Sequence, residues 1–258
     1  MSGRLEGKVC VITGAGGGMG ADAAIRFREE GAQVAVADVD GAAAEKVATE
    51  VGGLAVQVDV SDEASVEAMY AAAVERFGGF DVLYNNAGIS PADDASILET
   101  GLDAWERVQA VNTRGVYLCC KHGIPHLLAR GGGSVINVAS FVATMGAAVS
   151  QVSYTASKGG VLALSRELGV EFAARGVRVN ALCPGPVNTP LLKELFAKDP
   201  ERAAKRLVHI PMGRFGEPEE IAKAALFLAG EDSTFVTAST FLVDGGLSGA
   251  YLTPGQVD

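Results

Sequence analysis

The sequence lacks the features that mark membrane-spanning, secreted and nucleic-acid-binding proteins. No stretch approaches the roughly 20 consecutive apolar residues that a transmembrane helix needs, and the opening residues, MSGRLE, contain no apolar signal-peptide core. Acidic residues outnumber basic ones by 31 to 21, and the resulting net charge of −10 argues against nucleic acid and anionic membrane as partners. We therefore expect a soluble, cytoplasmic protein.

Cysteine and histidine are scarce as well. The four cysteines are Cys10, Cys119, Cys120 and Cys183. They form no Cys-x-x-Cys pair and three of them stand in apolar runs, so we expect buried free thiols and neither a disulfide framework nor a metal site. The three histidines are His122, His126 and His209. They match no ligand or catalytic-triad spacing, and we interpret them as structural or solvated residues.

Glycine, by contrast, is abundant: it supplies 33 of 258 residues, clustered between short apolar runs. Seven runs rich in valine, isoleucine and leucine predict strands that are covered on both faces. They are Val9–Thr13, Gln33–Asp38, Ala55–Asp59, Asp81–Tyr84, Ser134–Ala139, Arg178–Cys183 and Thr240–Val243. Helical patterns stand between them at Met19–Glu30, Ala42–Glu50, Glu63–Phe77, Leu102–Leu128, Ser153–Ala174 and Glu219–Leu228.

This alternation of strand and helix predicts a parallel sheet with right-handed crossovers. We expect one α/β domain over residues 1–258, a Rossmann-type, doubly wound sheet of seven parallel strands with helices on both faces. One connection, residues 186–213, is longer than the others and contains a helical pattern of its own, Leu191–Leu207. We predict that this connection is a substrate-binding lid.

The first strand runs directly into a glycine-rich turn, and a helix follows at once. Missing side chains let the backbone approach a pyrophosphate, and the helix N-terminus offers free amides and the positive end of its dipole. The order of strand, glycines and helix favours a dinucleotide site over a merely flexible turn. The predicted contacts are Gly14, Gly17, Gly18, Met19 and Gly20.

Carboxylates end the second and third strands. Asp38, followed by Val39, stands about 20 residues past the glycines, where a carboxylate accepts hydrogen bonds from ribose hydroxyls. It would repel the 2′-phosphate of NADP, and no arginine or lysine stands beside it, so the sequence predicts NAD. A solvated strand-end carboxylate is the alternative. Asp59 and Val60 are predicted near the adenine, although Asp59 also suits a turn or a helix cap.

Tyr154 and Lys158 stand four residues apart at the start of a long predicted helix, so they share one face of it. A free tyrosine has a pKa near 10 and is a poor base at neutral pH. A nearby ammonium and the cationic oxidised nicotinamide would both favour the phenolate. Tyr154 therefore suits proton exchange with an alcohol or carbonyl oxygen, with a surface tyrosine–lysine pair as the alternative.

Further motifs surround this pair, and with them the chain resembles the short-chain dehydrogenase/reductase family over nearly its full length. In family order they are Thr13-Gly14-x3-Gly18-Met19-Gly20, Asn85-Asn86-Ala87-Gly88, Asn112, Ser140, Tyr154-x3-Lys158 and Pro184-Gly185. One pattern departs from the family: its frequent Thr-Gly pair before the last strand is replaced by Val236-Thr237-Ala238-Ser239, which leaves the turn geometry there open.

The resemblance implies a role for each catalytic position. Tyr154 is the general acid and base, and Lys158 lowers the pKa of Tyr154 and holds the nicotinamide ribose. Ser140 hydrogen-bonds the reacting oxygen, although a turn-forming serine is the alternative. Asn112 kinks the long helix and positions a water for proton relay, with a satisfied structural amide as the alternative.

The resemblance also extends the cofactor site beyond the glycine turn. Further contacts follow the fourth and sixth strands, at Asn86, Ala87, Gly88, Pro184, Gly185, Val187 and Thr189. The family is commonly tetrameric, so a homotetramer is implied, and the tail Gly249–Asp258 is placed within reach of a neighbouring subunit.

The residues around the predicted site are apolar. The segment Phe141–Ser153 contains no cationic residue that would hold a carboxylate or phosphate. We therefore expect an NAD(H)-dependent dehydrogenase or reductase for a hydrophobic or alicyclic secondary alcohol or ketone. A 3-oxoacyl thioester reductase of the acyl-carrier-protein type and a non-catalytic NAD-binding sensor are the alternatives.

Overall fold

The computed structural model describes residues 3–189 and 206–250. Within that part, seven strands pair in one parallel sheet: β1 (Val9–Thr13), β2 (Gln33–Asp38), β3 (Leu54–Gln57), β4 (Val82–Asn85), β5 (Gly133–Val138), β6 (Val177–Pro184) and β7 (Thr240–Val243). Their order across the sheet is β3-β2-β1-β4-β5-β6-β7. Strands β2 and β3 lie on one side of β1, and strands β4 to β7 lie on the other. Ligands of doubly wound sheets bind in the crevice at this switch point, between β1 and β4.

Helices cover both faces of the sheet. They are α1 (Gly18–Glu29), α2 (Gly41–Val51), α3 (Glu63–Phe77), α4 (Leu102–Gln109), α5 (Gly115–Ala129), α6 (Val152–Phe172) and α7 (Pro218–Ala229). Phe27 of α1, Val47 of α2 and Leu226 of α7 belong to the core on one face. Met69 of α3, Leu118 of α5 and Val161 of α6 belong to the core on the other face. The predicted doubly wound fold is confirmed.

Strand β1 explains why the apolar runs predicted this architecture. All five of its residues are buried, and successive side chains point to opposite faces. Ile12 therefore packs in one core and Val11 in the other. Because a strand in this position contacts helices on both sides, it needs apolar residues throughout rather than in alternation.

The predicted elements differ from the observed ones mainly by one or two residues at their ends. The exception is the predicted helix Leu102–Leu128, which is interrupted by one π-helical turn at Ala110–Arg114. Of the predicted lid, residues 190–205 lie outside the described part, and residues 251–258 of the tail do as well. All four cysteines are buried free thiols, as expected. Among the described helices, none is long and apolar enough to cross a membrane.

The four residues before β7, Val236-Thr237-Ala238-Ser239, replace the Thr-Gly pair that is frequent in the family. Ala238 has a φ of 56°, in the left-handed region that favours glycine. Its amide donates to the Val179 carbonyl over 2.8 Å. Gly169 of α6 permits the close approach, because a Cβ at Gly169 would lie 2.6 Å from the Ala238 nitrogen. The turn is therefore built with an alanine in a conformation that costs it energy.

Candidate active site

The glycine turn after β1 leaves its backbone open toward the switch point of the sheet. Gly17 precedes α1 and no side chain caps that helix end, so its first amides remain available for an anion. A Cβ at Gly17 would meet no described atom within 4 Å, whereas one at Gly20 would lie 2.2 Å from the Gly14 oxygen. Gly14 itself has a φ of +64°. The turn thus combines tight internal packing with open space outside.

Thr13 and Asn86 tie the end of β1 to the segment after β4. The Thr13 hydroxyl oxygen accepts from the amides of Asn86 and Ala87, each over 3.2 Å. The Asn86 side-chain amide donates to the carbonyls of Thr13 and Gly14 over 3.1 and 2.9 Å. Asn86 Oδ1 is buried and has no hydrogen-bond partner in the described part of the chain.

Together these features fit a dinucleotide cofactor. The open amides before α1 suit a pyrophosphate, and a buried acceptor such as Asn86 Oδ1 is satisfied when a ligand supplies a donor. Asp38 completes the set at the end of β2. Its two carboxylate oxygens accept from the amides of Gly16 (2.9 Å) and Asp40 (3.0 Å), and each keeps a further lone pair for a ribose hydroxyl.

The other residues predicted near the adenosine have mixed surroundings. Val39 is exposed, whereas Val60 is buried and packs where a Cβ on Gly115 would collide with it. Asp59 Oδ1 accepts from the amide and hydroxyl of Ser61 over 2.9 and 2.7 Å. Its described contacts are therefore those of a turn, the alternative that the sequence left open.

Tyr154 and Lys158 lie on one face of α6, as the spacing predicts. The Lys158 ammonium is 5.5 Å from the centre of the Tyr154 ring and donates to the Val138 carbonyl at the end of β5 over 2.7 Å. Lys158 is only 3% exposed, and burial lowers its pKa to about 8. The hydrogen bond to the end of β5 thus holds the Lys158 ammonium beside the Tyr154 ring.

Ser140 meets the phenol from the same strand end. Burial raises the pKa of Tyr154, while a hydrogen bond with Ser140 and the positive charge of Arg206 act in the lowering direction. The resemblance implied a lowering by Lys158, but in the described structure the pKa of Tyr154 lies above its ordinary value because burial outweighs these contacts. Ser140 also accepts weakly from the Val142 amide over 3.4 Å, which is the turn-forming role that the sequence analysis gave as the alternative.

Asn112 stands in the π turn between α4 and α5, and such turns recur at functional sites. Its Oδ1 accepts from the Ile89 amide over 2.8 Å. Its Nδ2 donates to the Ile89 carbonyl over 2.9 Å and to the Ser157 hydroxyl over 3.1 Å. The Asn112 side chain therefore joins the segment after β4 to α6. In the described structure it is the satisfied structural amide that the sequence analysis gave as the alternative.

A cavity of about 740 Å³ opens beside Tyr154 and Ser140, at the carboxyl ends of the strands. Predicted contacts that line it are Met19, Pro184, Gly185, Val187 and Thr189. Most of the remaining wall is apolar and includes Phe141, Met145 and Ala147. Its volume falls in the range of small-molecule sites.

The cavity wall contains three ionisable side chains that were not predicted as site residues, one of them His209, which the sequence analysis interpreted as structural or solvated. Asp94 belongs to the segment after β4, and Arg206 and His209 follow the undescribed part of the lid. The sequence analysis found no cationic residue in the segment 141–153 beside the predicted site. Arg206, from the lid, nevertheless places a positive charge in the cavity wall. The sequence gives little signal for these positions, because Asp94 and His209 lie in irregular connections and nothing in the predicted helical pattern Leu191–Leu207 marks the side on which Arg206 stands.

His122 lies outside this cavity. Its ring nitrogens contact Glu63 over 2.8 Å and Glu67 over 3.4 Å at the protein surface. The Lys121 ammonium also pairs with Glu63, over 2.5 Å, and supplies the positive charge that a cation would otherwise bring to the two carboxylates. The group is therefore a surface ion-pair network.

Comparison with known proteins agrees with this geometry. The family model described as Enoyl-(Acyl carrier protein) reductase matches residues 14–248. The chain is 40% identical over 253 residues to 2,5-dichloro-2,5-cyclohexadiene-1,4-diol dehydrogenase of Sphingobium indicum (96% of this chain, 99% of the relative). It is 41% identical over 250 residues to meso-2,3-butanediol dehydrogenase of Serratia marcescens (94% and 95%).

A solved structure resembles it as well. The 3-ketoacyl-(acyl-carrier-protein) reductase from Brucella melitensis, complexed with NADH, superposes with a TM-score of 0.86 at 39% identity, covering 95% of this chain and 99% of that one. The matches span nearly the whole chain and include the glycine turn and the tyrosine–lysine helix. The chain belongs to the short-chain dehydrogenase/reductase family, a family of nicotinamide-dependent oxidoreductases.

Proposed function

We propose that this short-chain dehydrogenase/reductase transfers a hydride between NAD(H) and a secondary alcohol or ketone of a hydrophobic or alicyclic compound. The observation that carries the proposal is the meeting of Ser140 and Tyr154 at the wall of one 740 Å³ cavity, with the Lys158 ammonium 5.5 Å from the centre of the Tyr154 ring. That cavity adjoins the glycine turn, so a bound cofactor and a substrate reach the same phenol.

The proposed chemistry divides between protein and cofactor. The bound nicotinamide supplies the hydride acceptor for oxidation and the hydride donor for reduction. In oxidation, Tyr154 takes the hydroxyl proton while Ser140 donates a hydrogen bond to the same oxygen; in reduction, Tyr154 returns that proton. Lys158, anchored on Val138, holds a positive charge beside the ring and favours the phenolate.

The proposal names NAD because of Asp38. Its carboxylate is fixed beside the glycine turn by the Gly16 amide, where an adenosine ribose would present its hydroxyls. A 2′-phosphate there would meet a negative charge at close range. The NADH complex of the Brucella melitensis relative supports the same cofactor.

The substrate class rests on the cavity wall and on relatives. The wall beside Tyr154 is formed by Phe141, Met145 and the alanines around them, which suits an apolar carbon skeleton. The two dehydrogenases at about 40% identity are named for diols, one of them a cyclohexadiene. Arg206 at the cavity edge adds a place for one polar or anionic substituent.

The alternative within the same chemistry is a 3-oxoacyl thioester reductase, and the Brucella melitensis relative favours it. A non-catalytic NAD-binding sensor is the alternative outside catalysis, but such a module has no need of the Ser140–Tyr154–Lys158 set. We also propose that residues 186–213 form a substrate lid. Their described part, including Val187, Thr189, Arg206 and His209, borders the cavity.

A homotetramer is part of the proposal. Apolar side chains stand exposed in two regions of the described surface: Phe235, Val170 and Leu242 around β7, and Ile97, Leu98, Leu102 and Tyr117 around α4 and α5. Exposed apolar residues of this kind mark interfaces between subunits. Light scattering of the purified protein tests the assembly, and a monomer at micromolar concentration contradicts it.

A substrate screen tests the catalytic proposal. Hydrophobic and alicyclic secondary alcohols, their ketones and a 3-oxoacyl thioester are assayed with NAD(H) and NADP(H), in the wild type and in Tyr154→Phe. We expect turnover of the alcohols with NAD and a loss on the order of 10²–10⁴-fold in the variant, the usual contribution of a general acid or base. Preference for NADP overturns the Asp38 argument, and unchanged turnover in the variant overturns the assignment of Tyr154.

A further inference from the structure

The N-terminus of α6 is capped from a distant part of the chain. Gln151, at the N-cap position, makes no side-chain cap bond within the described structure. The Val152 amide donates instead to the Ala95 carbonyl over 3.3 Å. The next two amides, of Ser153 and Tyr154, donate to Asp94 Oδ1 and Oδ2 over 2.9 and 2.7 Å. One carboxylate thus holds the backbone of the catalytic tyrosine and of its neighbour.

The carbonyl side of the same turn is fixed as well. The Tyr154 carbonyl accepts from the Ser157 hydroxyl over 2.7 Å, and Ser157 is held by Asn112. The Ser153 carbonyl accepts from Gln109 over 3.0 Å. Bonds from Asp94 and Gln109, and from Asn112 through Ser157, therefore leave the first turn of α6 little freedom to shift.

Asp94 differs from ordinary helix caps in its surroundings. It is 5% exposed and forms part of the cavity wall, and in the described part of the chain its carboxylate accepts from two backbone amides rather than from a cation. A buried carboxylate that accepts two amides at a helix N-terminus is stabilised by the charge-assisted bonds and by the helix dipole. Its neighbour Asp93 is exposed and pairs with Arg107 over 2.8 Å, so the two adjacent aspartates have different tasks.

We propose that Asp94 is a positioning residue that couples the cavity wall after β4 to the place of the Tyr154 phenol. The proposal rests on the proposed function, in which Tyr154 exchanges the proton. Because Asp94 Oδ2 accepts from the Tyr154 amide, Asp94 acts on the phenol through the tyrosine backbone. A displaced phenol is poorly aligned for proton transfer, whereas the glycine turn and Asp38, which we expect to provide most of the affinity for NAD, belong to other segments.

The test is Asp94→Asn. The asparagine keeps the size of the side chain, but its NH₂ group faces one of the two amides and cannot accept from it. We expect kcat for alcohol oxidation to fall by about 10–100-fold, the scale of a misplacement near 1 Å, with the Kd for NAD and the KM for NAD unchanged. The matched control is Asp93→Asn, which makes the same chemical change one residue earlier and should keep wild-type kcat.

A double-mutant cycle separates positioning from general damage. If Asp94 acts through Tyr154, then Asp94→Asn adds little further loss in a Tyr154→Phe background, whereas independent effects multiply. Multiplied losses, or a kcat equal to that of Asp93→Asn, overturn the proposal. Weakened NAD binding in Asp94→Asn also overturns it, because Asp94 is then needed for the fold. Absence of turnover in the wild type overturns the proposed function itself, and this inference with it.

Discussion

The cofactor side and the catalytic side of the crevice are built by different means. On the cofactor side, residues 14–20 are contiguous, and we expect backbone amides to carry most of the recognition; a Cβ would collide with neighbouring atoms at Gly14, Gly16 and Gly20 but not at Gly17. On the catalytic side, Ser140 and the Tyr154–Lys158 pair come from different elements, and long-range bonds hold the pair, from the Tyr154 amide to Asp94 and from the Lys158 ammonium to the Val138 carbonyl. Damage to the first side should therefore appear in binding, and damage to the second in turnover.

The largest effect that separates the two sides is expected from a pair of glycine substitutions. Gly20→Ala places a Cβ 2.2 Å from the Gly14 oxygen, so the turn must shift. We expect the Kd for NAD to rise by at least about tenfold, or 1.4 kcal/mol, together with a loss of stability of about 1–3 kcal/mol from overpacking. Isothermal titration with NAD and thermal unfolding measure the two quantities.

Gly17→Ala is the counterpart of that substitution. Gly17 has extended backbone angles, φ −170° and ψ 178°, and a Cβ there meets no described atom within 4 Å. The variant should fold with wild-type stability and still bind NAD more weakly, because the new methyl group occupies space proposed for the pyrophosphate. Wild-type NAD affinity in Gly17→Ala would place the cofactor elsewhere.

On the catalytic side, Asn112→Ala removes the clamp on the segment after β4. The Ile89 amide and carbonyl lose their partner, and unpaired buried polar groups cost about 1–3 kcal/mol. We expect a lower melting temperature and a kcat reduced by roughly tenfold or more, while the Kd for NAD changes by less than about threefold, or roughly 0.6 kcal/mol. A variant that loses NAD affinity and keeps kcat contradicts the division between the two sides.

A smaller effect is expected from the charge of Arg206. The phenolate of Tyr154 is the form that accepts the proton, so kcat/KM for alcohol oxidation rises with pH through the pKa of this group. Burial raises that pKa, and Arg206 acts in the lowering direction. Arg206→Gln removes the positive charge, so the rising limb should move to higher pH, while Arg206→Lys should leave it near the wild-type position. If the rising limb of the pH profile does not move in Arg206→Gln, the charge of Arg206 does not act on the pKa of Tyr154.

The same division explains what could be predicted from the sequence. The glycine turn, Asp38 and the Tyr154–Lys158 pair are local patterns, in which strand end, turn and helix follow one another along the chain. Apolar runs such as Val9–Thr13 predicted buried parallel strands because a strand between two helical layers has no polar face. The fold and the location of the site therefore followed from short-range information.

The supporting contacts could not be predicted in this way. Asp94 caps a helix that begins some 60 residues later, and its own neighbourhood resembles any polar loop. The apolar pattern alone predicted one continuous helix, Leu102–Leu128, and the π turn at Asn112 was indicated only by the kink that the family resemblance implies. Arg206 faces the cavity only because of the path of a long connection. Such contacts depend on tertiary packing, which local periodicity does not encode.

The smallest effect concerns Ala238, far along the chain from both sides of the crevice. Its φ of 56° costs an alanine about 1–2 kcal/mol of backbone strain. A glycine avoids this strain, but the greater freedom of the unfolded chain lowers stability by about 0.4–1 kcal/mol. Ala238→Gly should therefore raise the free energy of unfolding by about 0.5–1 kcal/mol, or about 1–4 °C in melting temperature for a chain of this size, with NAD affinity and kcat unchanged. The control is Ala71→Gly on the exposed face of α3, where the same replacement should destabilise by about 0.5–1 kcal/mol. Equal losses in both variants would show that Ala238 gains more from its methyl group than it loses to backbone strain.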